Sequence, residues 1–305
     1  MKVVFLGSSS FAVESLKALV ESEYDVVAVL TQPDRKVGRK RKIQGTPVKE
    51  YAVEQSLEVL QPEKSSEVYE VIAPFEPDFI VVVAYGLLLK QDVIDLPKLE
   101  ILNVHGSMLP DLRGAAPIHF SLMRGDTETG VCVMRVEKKL DAGPVYACSK
   151  VEILLQDDFE SLHDRMAGIG AKTLVEVMDG IAKGNLEPEV QDENRVTYCG
   201  KITKEFGEID FVRHSAKEIV NRFRALKDWP GLKFEFKGVR FGLKDFEMAD
   251  MNLQPGEFCL VEGELFVGTK KGSLKINQIQ PESKRAMKPT EFLLGNPDFF
   301  EKVPE

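Results

Sequence analysis

Phe79-Ile80-Val81-Val82-Val83-Ala84 is six apolar residues in a row with no polar interruption. A strand with one wet face alternates apolar and polar residues. A short, uniformly apolar run predicts a strand covered on both faces, the condition of a parallel sheet sandwiched between helices. Working outward, residues 26–30 read the same way, and 3–6 and 101–104 add two more runs. Residues 11–22 carry Phe11, Leu16 and Leu19 at helical spacing. Asp157 or Asp158 caps a long helix to about Ala182, with Leu162, Met166, Ile169, Leu174, Val177 and Ile181 along one side. This alternation predicts an α/β fold with a doubly wound, mostly parallel, Rossmann-like sheet. Residues 131–136 and 145–153 flank Leu140-Asp141-Ala142-Gly143 and read as an antiparallel pair. Gly7-Ser8-Ser9-Ser10 lacks the spacing of a dinucleotide loop and the lysine of a P-loop, so it reads as a tight turn with Ser10 as helix N-cap.

Periodicity fades from residue 184, and 184–203 reads as a linker between a domain at 1–183 and a second at 204–305. Ser215-Ala216-Lys217-Glu218 is a capping-box pattern opening a helix. Beyond Trp229-Pro230-Gly231, which places Trp229 as a packing residue, come short runs at 232–236, 239–243, 258–261, 265–267 and 274–279. Gly238, Gly263 and Gly272 punctuate them, which predicts a small β-barrel.

The net charge of −9 argues against indiscriminate binding to nucleic acid. Its distribution matters more than its total. Residues 204–305 hold 17 basic and 17 acidic side chains, so the whole excess of 32 acids over 23 bases lies in residues 1–203. Inside that acidic half, Arg35, Lys36, Arg39, Lys40, Arg41 and Lys42 place six cations in eight positions with no anion. A local patch of this kind attracts phosphates, although most charge runs are solvated loops. The four cysteines form no CxxC pair and read as free thiols, and no His/Cys/Asp spacing offers a metal site. With no secretory segment and no apolar run near twenty residues, the expected compartment is the cytoplasm and no membrane is involved.

The chemistry concentrates in Asn103-Val104-His105-Gly106-Ser107-Met108-Leu109-Pro110, a strand that breaks into a loop, and in Asp141. In an open α/β sheet, ligands gather at the carboxyl ends of strands. Asn donates two hydrogen bonds, His carries a proton near neutral pH, and Asp orients an imidazole or collects its proton. Taken singly, Asn103 is a turn former, His105 a loop histidine and Asp141 a turn residue. Taken together, they suit a tetrahedral intermediate at a carbonyl.

Asn-x-His-Gly-Ser-x-Leu-Pro at 103–110, Arg113-Gly114-Ala115-Ala116-Pro117-Ile118, Thr129-Gly130-Val131 and Leu140-Asp141-Ala142-Gly143 together resemble the folate-dependent formyltransferases. Phe5-Leu6-Gly7-Ser8-Ser9-Ser10-Phe11, Thr31-Gln32-Pro33-Asp34-Arg35, Val83-Ala84-Tyr85-Gly86, Thr197-Tyr198-Cys199-Gly200-Lys201-Ile202 and Gln280-Pro281-Glu282-Ser283-Lys284-Arg285 extend the resemblance over nearly the whole chain. Met108 stands where the pattern usually has Leu, an apolar exchange. The resemblance implies an N-terminal formyltransferase domain and an OB-like C-terminal domain. It implies 10-formyltetrahydrofolate as formyl donor, with no metal, and methionyl-initiator-tRNA as acceptor, in translation initiation. It assigns Asn103 to the oxyanion, His105 to the proton and Asp141 to the imidazole. Ser107, Met108, Leu109 and Pro110, with Tyr85, Gly86, Leu87 and Leu88, would line the folate site, although Leu87 and Leu88 read equally well as core. It sets the Arg35–Lys42 cluster against the tRNA acceptor stem; DNA is not expected. Arg222, Arg224, Lys227, Lys270, Lys271, Lys284, Arg285 and Lys288 could track RNA backbone from the second domain.

An alternative keeps the chemistry and changes the acceptor to glycinamide ribonucleotide or an amino-sugar nucleotide. A purine-pathway enzyme needs neither the C-terminal barrel nor the cationic insertion, so residues 31–49 discriminate. A third reading is a non-catalytic RNA-binding protein on a transferase scaffold, and intact Asn103, His105 and Asp141 count against it.

Overall fold

The computed structural model describes residues 1–37 and 42–300. In chain order its elements are β1 (Lys2–Gly7), α1 (Ser10–Val20), β2 (Asp25–Leu30), β3 (Arg35–Val37), β4 (Lys42–Gln44), α2 (Pro47–Glu54), β5 (Val59–Leu60), α3 (Val68–Ile72), β6 (Phe79–Val83), α4 (Gln91–Ile94) and β7 (Glu100–His105). Then follow β8 (Arg113–Gly114), α5 (Pro117–Arg124), β9 (Glu128–Arg135), β10 (Val145–Glu152), α6 (Phe159–Ala182) and β11 (Tyr198–Cys199). The last are α7 (Ala216–Leu226), β12 (Leu232–Phe236), β13 (Val239–Ala249), β14 (Phe258–Val261), β15 (Glu264–Gly268), β16 (Ser273–Pro281) and α8 (Pro289–Leu293).

The chain forms two compact units. The first comprises residues 1–117, 128–153 and 160–200; the second comprises 118–127, 154–159 and 201–305. In the first, seven strands lie in the order β10-β9-β7-β6-β1-β2-β5. The β7, β6, β1, β2 and β5 strands are parallel, and β9 and β10 are antiparallel additions at one edge. The uninterrupted apolar run forms β6, with Phe79, Ile80, Val81 and Val83 fully buried. Val4, Leu6, Ala28, Leu30, Ile80 and Ile101 pack against Val68, Ile72 and Val93 of α3 and α4. On the opposite face a Cβ at Gly170 of α6 would lie 2.9 Å from Cγ1 of both Val104 and Val131, so the glycine sets how closely that helix sits on the sheet. Gly7 stands opposite Val83 and Val82 opposite Asn103, so β1, β6 and β7 end along one edge. The chain order reverses between β1 and β6, the point where open α/β sheets place ligands.

In the first unit the structure corrects an N-cap and a cysteine expectation. Ser9, not Ser10, is the N-cap of α1, and its side chain makes no capping bond. Cys132 and Cys148 are paired in a disulfide, while Cys199 and Cys259 remain thiols. Cys132 and Cys148 face each other across β9 and β10 with Cα atoms 4.1 Å apart. Strand register brings them together, and a separation of 16 residues does not reveal register.

In the second unit five antiparallel strands run in the order β12-β13-β16-β15-β14, in keeping with the OB-like expectation. The register of β13 against β16 shifts on both sides of Asp245, and such bulges bend a strand over a core. That core is aromatic: Phe211, Phe234, Phe241, Phe258, Phe292 and Phe300 are buried and meet with ring centroids 5.1–6.0 Å apart. The capping box at Ser215 and Glu218 forms as its sequence predicts. Trp229, expected to pack, is 53% exposed. Among the described residues no helix is long and apolar enough to cross a membrane.

Candidate active site

Alternation along β7 puts Asn103 and His105 on the face away from α6, where residues 106–112 fold back over the sheet. The imidazole is buried, and its Nε2 lies 3.0 Å from the carbonyl oxygen of Leu112. A carbonyl only accepts, so Nε2 carries a proton toward Leu112, and the neutral tautomer with that bond has its lone pair on Nδ1. Nδ1 is 3.9 Å from Oδ2 of Asp141. That gap exceeds a direct hydrogen bond but keeps a carboxylate beside any positive charge the ring acquires. The same Oδ2 accepts from the Gly114 N–H at 2.9 Å. Gly114 has φ +128°, and a Cβ there would lie 2.0 Å from the Cys199 carbonyl oxygen, so only glycine admits this approach. The half-buried Asn103 carboxamide has no hydrogen-bond partner among the described residues, which leaves its N–H groups open to a ligand.

The loop over the sheet is stitched from within. The Ser107 hydroxyl is buried and donates to the Asp111 carbonyl at 2.5 Å, closing the turn from inside. Leu109 N–H donates to Cys132 Sγ at 3.3 Å. Met108 lies over the sheet at Gly130, where a Cβ would stand 2.2 Å from the Met108 sulfur. Pro110 accepts from the Thr197 N–H at 3.4 Å. Beyond β6, Tyr85 is buried with its hydroxyl unpartnered among the described residues, and burial pushes that phenol up to about 12. Gly86 turns the chain at φ +92°, Leu87 packs on the core, and Leu88 is 77% exposed. A core role therefore fits Leu87 and not Leu88.

The cationic cluster divides. Arg35 and Lys36 on β3 and Lys42 on β4 are exposed on a two-stranded ribbon, with Arg35 donating to Gln32 at 3.0 Å. Arg39, Lys40 and Arg41 lie outside the described residues. In the second unit, four cations expected to track RNA serve the protein instead. Arg222 donates to the Phe206 carbonyl, and Arg224 to the carbonyls of Asp157 and Leu154. Lys227 pairs with Asp158 and Arg285 with Glu291. Lys270, Lys271, Lys284 and Lys288 are exposed. A cavity of about 170 Å³ lined by Lys233, Arg240 and Lys244 among others left no mark in the sequence pattern.

Sequence reasoning also missed a set of polar residues in the presumed linker, which packs with the first unit as far as Gly200. Gln191, Glu193, Thr197 and Cys199 touch the loops that carry Leu112 and Asp141. Thr197 and Cys199 fall within the 197–202 stretch that carries the resemblance, whereas Gln191, 7% exposed, and Glu193 have no signal in the sequence.

The sequence profile of the family described as "Formyl transferase" matches residues 1–178, and that of "Formyl transferase, C-terminal domain" matches residues 201–297. The chain belongs to the formyl transferase family. This formyl transferase is 47% identical over 292 residues to a protein of Sulfurihydrogenibium sp. named methionyl-tRNA formyltransferase, covering 93% of this chain and 94% of the other. It is 41% identical to a protein of the same name from Methylococcus capsulatus, with 96% of each chain covered. The fold of this formyl transferase is similar to that of an N-formyltransferase from Helicobacter canadensis, solved with folinic acid and dTDP-3-aminofucose. There the TM-score is 0.66 at 17% identity, over 92% of this chain and 99% of that one.

Proposed function

We propose that this chain transfers the formyl group of 10-formyltetrahydrofolate to the amino group of methionyl-initiator-tRNA. The acceptor rests on end-to-end likeness to relatives named methionyl-tRNA formyltransferase. The chemistry rests on one observation above the others: Leu112 ties up His105 Nε2 and leaves Nδ1 open beside Asp141.

The neutral amine attacks the formyl carbon, and the carbonyl oxygen becomes anionic. Asn103, whose carboxamide has no partner among the described residues, donates to that oxygen. His105 Nδ1 takes the proton shed by the attacking nitrogen, and the imidazolium stands next to the Asp141 carboxylate. When the bond from carbon to the folate nitrogen breaks, the same proton passes to that nitrogen. A second donor to the oxyanion arises only once Nδ1 is protonated, so His105 acts as base before it acts as donor.

Folate is proposed to lie at the carboxyl edge, against residues 107–110 and 85–88. The exposed Leu88 gives that wall an apolar contact, and the buried Tyr85 backs it from the core. Met108, Leu109 and Pro110 offer main chain and apolar surface, while Ser107 shapes the loop from inside. Arg35, Lys36, Arg39, Lys40, Arg41 and Lys42 are proposed to meet acceptor-stem phosphates, and the unit at 204–305 to contact tRNA more weakly. The reaction is proposed to take place in the cytoplasm, where charged tRNA is met.

The deciding experiment offers purified protein 10-formyltetrahydrofolate with Met-tRNA, glycinamide ribonucleotide or an amino-sugar nucleotide. Formyl-Met-tRNA as sole product is expected. Transfer to a small amine alone would overturn the acceptor and leave the catalytic trio standing.

A further inference from the structure

The Gln191 side chain makes every hydrogen bond a carboxamide can make. Its Oε1 accepts from Arg113 Nε at 3.0 Å and Nη2 at 2.8 Å. Its Nε2 donates to the carbonyls of Asp141 at 3.0 Å and Gly143 at 2.7 Å. Arginine only donates and peptide carbonyls only accept, so the orientation of the amide is unambiguous. The group is 7% exposed and Arg113 is fully buried, so these bonds form where water does not compete.

Neighbouring residues extend the same strap. Glu193 pairs with Arg113 at 2.9 Å and with Lys139 at 2.8 Å, and Lys139 first, then Arg113, hold its carboxyl below the usual range. Thr197 Oγ1 accepts from the Leu112 N–H at 2.9 Å, and the Cys199 thiol donates to the Leu112 carbonyl at 3.3 Å. Residues 191–199 therefore hold both loops of the site: the one whose carbonyl fixes the His105 tautomer, and the one that carries Asp141. Asp141 itself sits at φ +49°, in the left-handed region. A non-glycine residue stays there only when its surroundings over-determine it, and two of the constraining bonds come from Gln191.

We propose that Gln191 is a positioning residue for formyl transfer: its amide locks the Asp141 and Gly143 carbonyls to the Arg113 guanidinium, keeping the Asp141 carboxylate in register with His105 Nδ1. The proposal rests on the reading of His105 and Asp141 as the proton-handling pair. A residue that merely stabilised the fold would lower stability and active fraction together. A positioning residue lowers turnover in molecules that are folded and loaded, and does so only while Asp141 is there to be positioned.

The test is a double-mutant cycle in the full-length protein. Gln191→Glu keeps size and the Arg113 contacts but removes both donors to the loop; Gln191→Met removes the whole network and guards against a fortuitous effect of the new charge. For Gln191→Glu, kcat is expected to fall on the order of 10²-fold, as for a misplaced catalytic group, with both KM values within about twofold of wild type. On an Asp141→Asn background, measured by single turnover, the same change should cost nothing further. Full additivity, or unchanged kcat in folded Gln191→Glu and Gln191→Met proteins, overturns the proposal. If wild type formylates a different amine, the acceptor reading falls and the cycle is read on that amine. If it formylates none, hydrogen exchange decides. Amides at 139–143 should exchange at least about tenfold faster in Gln191→Met than in wild type, with the β1 and β6 amides unchanged, and equal rates at 139–143 overturn the proposal.

Discussion

In the proposed mechanism Asn103 and Asp141 divide the work at the residue scale in a way that rate measurements separate. Asn103 offers donors that become useful only as the formyl oxygen gains charge. Asn103→Ala is therefore expected to lower kcat by about 10²–10³-fold with little change in folate affinity. Asp141→Asn keeps the acceptor for the Gly114 N–H yet removes the negative charge beside His105, and it should nearly abolish transfer while folate still binds. Equilibrium binding of the folate alongside single-turnover rates checks both, and near-normal turnover in either variant removes that residue from the mechanism. These two residues and His105 stood out in the sequence through their joint occurrence with the motifs that carry the family resemblance, and the structure brings His105 and Asp141 side by side. Gln191 was not, because a glutamine in a polar stretch looks the same whether it is solvated or makes four buried bonds.

At the scale of elements, the ribbon of β3 and β4 puts Arg35, Lys36 and Lys42 into solvent, where Lys36 and Lys42 make no ion pair with any described residue. Replacing all three with Ser should raise the KM for Met-tRNA. It should also flatten the dependence of log affinity on log salt by about 0.7–0.9 for each phosphate no longer neutralised. An unchanged salt slope would reduce the ribbon to a solvated hairpin. Strands and long helices were the readable part of the sequence: the helix expected to end near Ala182 does end there, and the runs at 232–236 and 258–261 coincide with β12 and β14. Two-residue strands such as β5, β8 and β11 left no pattern, since pairing with a distant partner, not local propensity, makes them strands. The same blindness to register hid the pairing of Cys132 with Cys148.

The whole molecule carries an alkaline limit written in its tyrosines. Burial pushes Tyr85 to about 12, and burial together with the Glu100 carboxylate does the same for Tyr146. A phenol that holds its proton longer when folded stabilises the protein fully below its unfolded pKa. That contribution drains away as pH rises from about 10 toward 12. Denaturant midpoints measured across that interval should fall steadily, and a flat profile would contradict the burial of both phenols.

The strap formed by residues 191–199 also bears on how the two halves of such a chain can be exchanged. A cut at residue 183 looks like a natural seam, since it retains Asn103, His105 and Asp141. It nevertheless discards every side chain that braces Arg113, Leu112 and Asp141 from the far side. Anyone grafting a new C-terminal unit onto this one should splice after Gly200, because what reads as connecting thread is the keystone of the first unit's own arch.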